Sequence, residues 1–190
     1  MVKTMRELIL VVVVVVVLAV IAIVAWRYYK EQRTKKLRGR YGPEYDRTVV
    51  TLRDQAEAEA ELEKREKRVK ALHIHALSTA DRQRFISGWR AIQTEFVDDP
   101  KGAVKEADRL MQDAMSLCGY PMTDFEQRAA DVSVNHPRVV NNYRAAHEIA
   151  VRDRLGEAST EELRQALVHY RSLFDELVEA PEVTGREVRA

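Results

Sequence analysis

The chain has 190 residues, 31 Lys and Arg against 30 Asp and Glu, and only seven Gly, five Pro and one Cys. That length suits one domain with a short extra element and not two ordinary domains, and so little Gly and Pro excludes a loop-rich β protein or a low-complexity chain. The single cysteine, Cys118, excludes an internal disulfide framework and any zinc site built on several thiolates.

From Leu8 to Trp26 no residue is charged, and Val11 to Val17 is an unbroken valine run. Nineteen residues at about 1.5 Å each match a hydrocarbon core of about 30 Å, so residues 8–26 are predicted to form a transmembrane helix behind a short tail, 1–7. Trp26, Arg27, Tyr28, Tyr29 and Lys30 then fall at the membrane interface. Two basic residues, Lys3 and Arg6, precede the span and seven follow it by Arg40, which places the bulk of the chain on the cytoplasmic side with the N-terminus outside. A cleaved signal peptide, which would export the rest of the chain, is the alternative.

Charge is segregated. Residues 1–42 carry nine basic and two acidic side chains, and the remainder carries 22 basic and 28 acidic. Residues 27–42 therefore read as a basic juxtamembrane linker that contacts lipid headgroups or simply fixes topology. Gly42 and Pro43 end it, and nothing obvious breaks a helix over 43–72. Its weak apolar seam and its spacing of Glu61 with Arg65, Glu63 with Lys67 and Glu66 with Lys70 predict a charged, coiled-coil-like stalk.

A small helical bundle is expected over 78–180, before a flexible tail, 181–190. Ser78 with Asp81 opens one helix, whose inner seam is Phe85, Trp89, Ile92 and Phe96. Asp99-Pro100 opens the next, with Ala103, Ala107, Leu110, Ala114 and Leu117 inward and Gly119 as its stop. Thr123 with Glu126 caps a short helix ending before His136-Pro137, and another runs from about Pro137 to Leu155. Ser159 with Glu162 opens the last, carrying Leu163, Ala166, Leu167, Tyr170, Phe174 and Leu177. The fold class is all-α: a transmembrane helix, a stalk helix and a bundle of five or six helices counting the stalk.

Several motifs are specific. Arg40-Tyr41-Gly42-Pro43-Glu44-Tyr45-Asp46-Arg47-Thr48-Val49, Phe96-Val97-Asp98-Asp99-Pro100 and Asp124-Phe125-Glu126-Gln127-Arg128-Ala129-Ala130-Asp131 resemble a widespread family of uncharacterised bacterial single-pass membrane proteins, some labelled secreted. The resemblance implies a bacterial source and one anchoring span, hence the cytoplasmic (inner) membrane, and brings no activity, cofactor or catalytic residue.

The residues that could carry chemistry are few. His73-Ile74-His75 offers two imidazoles with no third ligand nearby in sequence, and reads better as a polar connector. His147-Glu148 opens like a zinc-protease helix, but Val151 stands where the second His belongs. Cys118 sits among apolar residues that favour an inert thiol. Asp98-Asp99 before Pro100 is better placed as a helix cap than as a carboxylate pair. No metal, cofactor or catalytic residue is assigned. The richest polar stretch gathers Asp124, Glu126, Arg128, Asp131, His136 and Arg138, either as a recognition surface or as a network fixing helix angles. The net-negative remainder lacks a basic stripe with stacking aromatics, which argues against nucleic acid. The expected function is a protein-interaction, adaptor or structural module, through a partner protein or self-association. The alternative is an enzyme or small-ligand binder with a pocket around Asp124, Arg128, Asp131 and His136.

Overall fold

The computed structural model describes the backbone of residues 2–179 and the side chains of residues 15–178. The chain divides into two compact units, residues 1–40 and residues 41–190. All described secondary structure is helical, as the apolar periodicities predict. The tail expected over 181–190 lies outside the described residues, as do the side chains of the tail 1–7 and of the first part of the predicted span.

Helix α1 (Val2–Tyr41) builds the first unit. The stretch expected to be a linker, 27–42, is helical up to Tyr41, because none of its residues before Gly42 breaks a helix strongly. Among the described residues no helix is long and apolar enough to cross a membrane. This overturns the predicted span and, with it, the placement in an inner membrane with the domain on the cytoplasmic side.

The second unit is a bundle. Gly42 takes a positive φ of 51°, open to glycine at no steric penalty, and Pro43 starts α2 (Pro43–Leu52). The predicted unbroken helix over 43–72 does not form. Arg53 adopts the left-handed conformation, its N–H returning to the Val49 carbonyl, and Asp54 caps α3 (Gln55–Lys70) by accepting from the Glu57 N–H at 2.8 Å. Instead of a solvated stalk, α2 and α3 make an antiparallel hairpin. The Tyr41 hydroxyl donates to the Leu62 carbonyl and the Tyr45 hydroxyl to Glu59, which is itself buried.

The remaining helices are α4 (Thr79–Glu95), α5 (Pro100–Leu117), α6 (Phe125–Asn135), α7 (Val140–Arg154) and α8 (Thr160–Phe174), followed by a π-turn over Asp175–Glu179. With α2 and α3 the bundle has seven helices among the described residues, more than the five or six expected, because the stalk is two. Ser78, Asp99 and Ser159 cap α4, α5 and α8 as predicted, each accepting from the backbone N–H three residues on. At the start of α6 the cap is Asp124, not Thr123.

The apolar core lies among α4, α5, α7 and α8. Trp89 stacks on Phe174 at a centroid distance of 4.9 Å, and Met111, Met115, Tyr143, Leu163 and Leu173 are buried around them. In α5 the inner face is Ala103, Val104, Ala107, Met111, Ala114 and Met115, so Leu110 is only partly buried and Leu117 is exposed. Gly119, at φ 92°, closes α5 against the connector, where a Cβ would lie 2.4 Å from the His73 carbonyl oxygen. Only glycine fits there without moving backbone.

Candidate functional site

The polar stretch from Thr123 onward is not a single surface. Asp124 is consumed as the α6 cap, accepting from the Gln127 N–H at 3.0 Å. Arg128 is buried: its Nε donates to the Tyr143 hydroxyl at 3.0 Å and one terminal nitrogen to the Thr123 carbonyl at 3.1 Å. Asp131, also buried, accepts from Arg68 Nε at 2.7 Å and from Gln127 Nε2 at 3.1 Å, tying α6 to α3. His136 Nδ1 meets Glu176 at 3.1 Å, and Arg138 is exposed. Arg128 and Asp131 thus lie inside the bundle with their hydrogen bonds directed at neighbouring helices.

Glu126 behaves differently. Its carboxylate meets Arg144 of α7 at 2.5 Å, with the Glu126 side chain 68% exposed and that of Arg144 only 10%. The other terminal nitrogen of Arg144 reaches Glu44 Oε1 at 3.2 Å, and Arg65 Nη1 reaches the same oxygen at 3.0 Å. Glu44 is fully buried, and its Oε2 has no hydrogen-bond partner. Arg65 also holds Glu61 one turn back at 3.2 Å, the one Glu-to-base pair of the predicted stalk charges that takes part here. Above this knot opens a cleft of about 290 Å³ between α2, α3, α6 and α7, lined by Arg47, Thr48, Thr51, Arg65, Glu126 and Arg144 among others.

Of these residues the sequence marks Glu126 alone as a candidate. Glu44 reads there as a favourable charge in a first helical turn, and Arg65 as half of a surface pair. Nothing local marks their meeting with Arg144, which is 100 positions from Glu44. Chemically the cleft pairs guanidinium groups with carboxylates along one wall. Its guanidinium groups present fixed forks of N–H donors suited to an oxyanion.

A second polar centre lies between α5, α7 and α8. Asp108 accepts from the Tyr170 hydroxyl at 2.7 Å and from Gln112 Nε2 at 2.9 Å, while His147 Nδ1 stands 3.9 Å away. The His147 ring stacks on Phe125 at 3.6 Å. Burial pushes the Asp108 carboxyl up, but His147, the Tyr170 hydroxyl and the Arg128 charge act against it and prevail, leaving it below its ordinary value. Burial and the neighbouring Asp108 charge push Tyr170 far up. An acid held ionised beside a phenol held neutral is a fixed hydrogen bond, with no proton to pass near neutral pH. Asp108 also borders a cleft of about 330 Å³ whose lining mixes Lys101, Lys105 and Arg154 with Asp153.

The other candidates are structural. Asp99 caps α5 through the Gly102 N–H. Cys118 is buried, and burial alone pushes its thiol up to about 11, away from nucleophilic use. The His75 N–H donates to the Cys118 carbonyl, which fixes the connector over the end of α5. Among the described residues no three His, Cys, Asp or Glu side chains converge closely enough to hold a metal ion. In α1, Trp26, Arg27, Tyr28, Tyr29 and Lys30 are exposed, and the Lys30 ammonium lies 5.8 Å from the Trp26 ring.

No protein-family model matches this chain, and no curated protein or solved structure is similar to it.

Proposed function

We propose that the chain is a helical protein-interaction module and that the arginine-lined cleft of the 41–190 unit is its docking place. One observation carries the reading: Arg144, nine-tenths buried, lines the cleft and there gives a terminal nitrogen to the exposed Glu126. A buried guanidinium already anchored on Glu44 is a pre-organised donor, and arginine is enriched where partners anchor. The cleft is open on one side, unlike the enclosed cavities that bury most of a small molecule. The alternative pocket has no comparable support, since Arg128 and Asp131 direct their hydrogen bonds into the bundle.

A photo-crosslinking residue at Thr51, an exposed position on the cleft wall, tests this. The partner is expected to be captured from Thr51, lost when Arg47 becomes Ala, and not captured from Val97, which is exposed on the α4–α5 connection. Capture of the same proteins from both positions, or of none from Thr51, would remove the cleft as a docking place.

A further inference from the structure

Resting on that reading, we infer that the group received by the cleft is a carboxylate of an acidic peptide segment in the partner, and that Glu126 is a built-in competitor that this carboxylate displaces from Arg144. The first step is a charge balance. Arg47, Arg65 and Arg144 face Glu44, Glu61 and Glu126, so the cluster is neutral with Glu126 in place and carries one positive charge when Glu126 swings out.

The second step concerns which of the three carboxylates can leave. Glu44 is fully buried and holds two arginines, and Glu61 holds Arg65 within its own helix. Glu126 is mostly in water and makes a single ion pair, the kind of contact that contributes little to stability. It stands in the first turn of α6, where the helix dipole favours a negative charge in any side-chain rotamer. Its departure therefore removes little from Glu126, while Arg144 is left with a partly buried donor that needs an anion more than the glutamate needs the arginine.

The chemistry of the incoming group follows from the donors. Arg144 has one terminal nitrogen on Glu44 and its Nε buried, so it offers the cleft a single nitrogen. Arg47, exposed on α2, supplies a second cation on the same lining. A carboxylate can give one oxygen to each. A phosphate dianion asks for more donors than these two side chains offer. A lone monoanion would find little else to hold it in so open a cleft, so a chain of acidic side chains, held by successive encounters, is the fitting occupant.

The test titrates fluorescein-labelled hexaglutamate against the full chain by anisotropy, with circular dichroism confirming that each variant is folded. Glu126→Gln is expected to bind about three- to tenfold tighter than the unsubstituted chain, the range of one exposed ion pair plus the repulsion it relieves. Glu106→Gln, an exposed position on α5 outside the cleft, changes net charge equally and should leave affinity unaltered. Adding Arg47→Ala to Glu126→Gln should abolish the gain. Equal affinity of Glu126→Gln and the unsubstituted chain, or an equal gain from Glu106→Gln, overturns the competitor. Displacement of the peptide by inorganic phosphate or free glutamate at matched anion concentration overturns the peptide. A gain with Glu126→Gln alongside failed capture at Thr51 would leave the anion site standing and remove the protein partner, so the two proposals fail separately.

Discussion

Around Trp89 the bundle is made of rings and aliphatic chains, and around Glu44 it is made of ions. Both regions are buried, and both join four helical segments. In the first, Trp89, Phe174, Met111, Met115 and Leu173 pack together, with the Arg171 guanidinium lying over the Trp89 and Phe174 rings. In the second, one carboxylate faces two guanidinium groups, with the Arg68–Asp131 pair nearby on α3 and α6. The apolar region gains free energy from every contact it buries. The ionic region gains much less, because removing charges from water offsets most of their attraction. What the ions supply is direction: Glu44 accepts only where Arg65 and Arg144 point, which fixes α2, α3 and α7 at the cleft.

This contrast can be broken most sharply in the apolar region. Trp89→Ala should destabilise the bundle by about 4 kcal/mol in urea or thermal unfolding, since the indole is buried and stacked and its loss leaves a cavity. Trp89→Phe, which keeps a ring against Phe174 and removes an indole N–H that has no partner, should lose far less. A similar loss for Phe and Ala would mean that the region is not held by packing.

The ionic region answers differently to single and combined changes. Glu44→Gln leaves two buried arginines short of a counter-charge and should lose about 3 kcal/mol. Replacing Glu44, Arg65 and Arg144 together by Met, Leu and Met should bring stability back to within about 1 kcal/mol of the unsubstituted chain while abolishing hexaglutamate binding. A triple variant that is less stable than Glu44→Gln would show that the ions hold the fold as well as the site.

The two regions also differ in how far they can be read from the sequence. Phe85, Trp89 and Ile92, or Leu163, Ala166, Tyr170 and Phe174, announce their faces at three- and four-residue steps, and Ser78, Asp99 and Ser159 announce the starts of their helices. In α5 the pattern is ambiguous, because apolar residues border the helix on two sides. Leu110 and Leu117 form one stripe and Met111 and Met115 a neighbouring one, and only packing against α8 and α4 selects the second. The break at Arg53-Asp54 has neither Gly nor Pro, so a left-handed arginine there is decided by the gain from folding α2 onto α3. The Glu44 knot draws on positions 44, 65, 126 and 144, and pairing over such separations leaves no periodic trace. The uncharged run near the start reads as a span by composition, yet among the described residues no helix is long and apolar enough to cross a membrane.

Alkaline pH sharpens the contrast from the apolar side. Cys118 is buried, and burial pushes its thiol from 9.0 up to about 11. A pKa raised on folding gives stability that is fully present below pH 9 and is lost as pH climbs toward 11. The loss from this group should be roughly 2–3 kcal/mol at its fullest. Tyr120, pushed by burial up to about 12, adds to the decline above pH 10. Urea titrations at stepped pH should show the fall beginning near pH 9, and Cys118→Ala should delay its onset to the tyrosine range. At pH 8 the native thiol should react with iodoacetamide about a hundredfold more slowly than a free cysteine. A rapid reaction would place Cys118 outside the core.

The smallest effect calibrates the others, at a site belonging to neither region. Ser159 caps α8 by accepting from the Glu162 N–H at 3.3 Å, and the Glu162 carboxylate accepts from the Ser159 N–H at 2.8 Å and from Arg152 at 2.6 Å. Ser159→Ala should lower stability by about 1 kcal/mol at neutral pH, the usual worth of such a cap. The hydrogen bonds from Ser159, backbone first, and then the one from Arg152 hold the Glu162 carboxyl at about 2, below its ordinary 4.5. A depressed pKa gives stability that is present above pH 4.5 and fades as the carboxylate is protonated toward pH 2. The stability difference between the unsubstituted chain and Ser159→Ala should therefore shrink in acid, because the reciprocal bond goes with the charge. If the difference holds steady down to pH 2, the serine hydroxyl alone makes the cap and the glutamate contributes nothing to it.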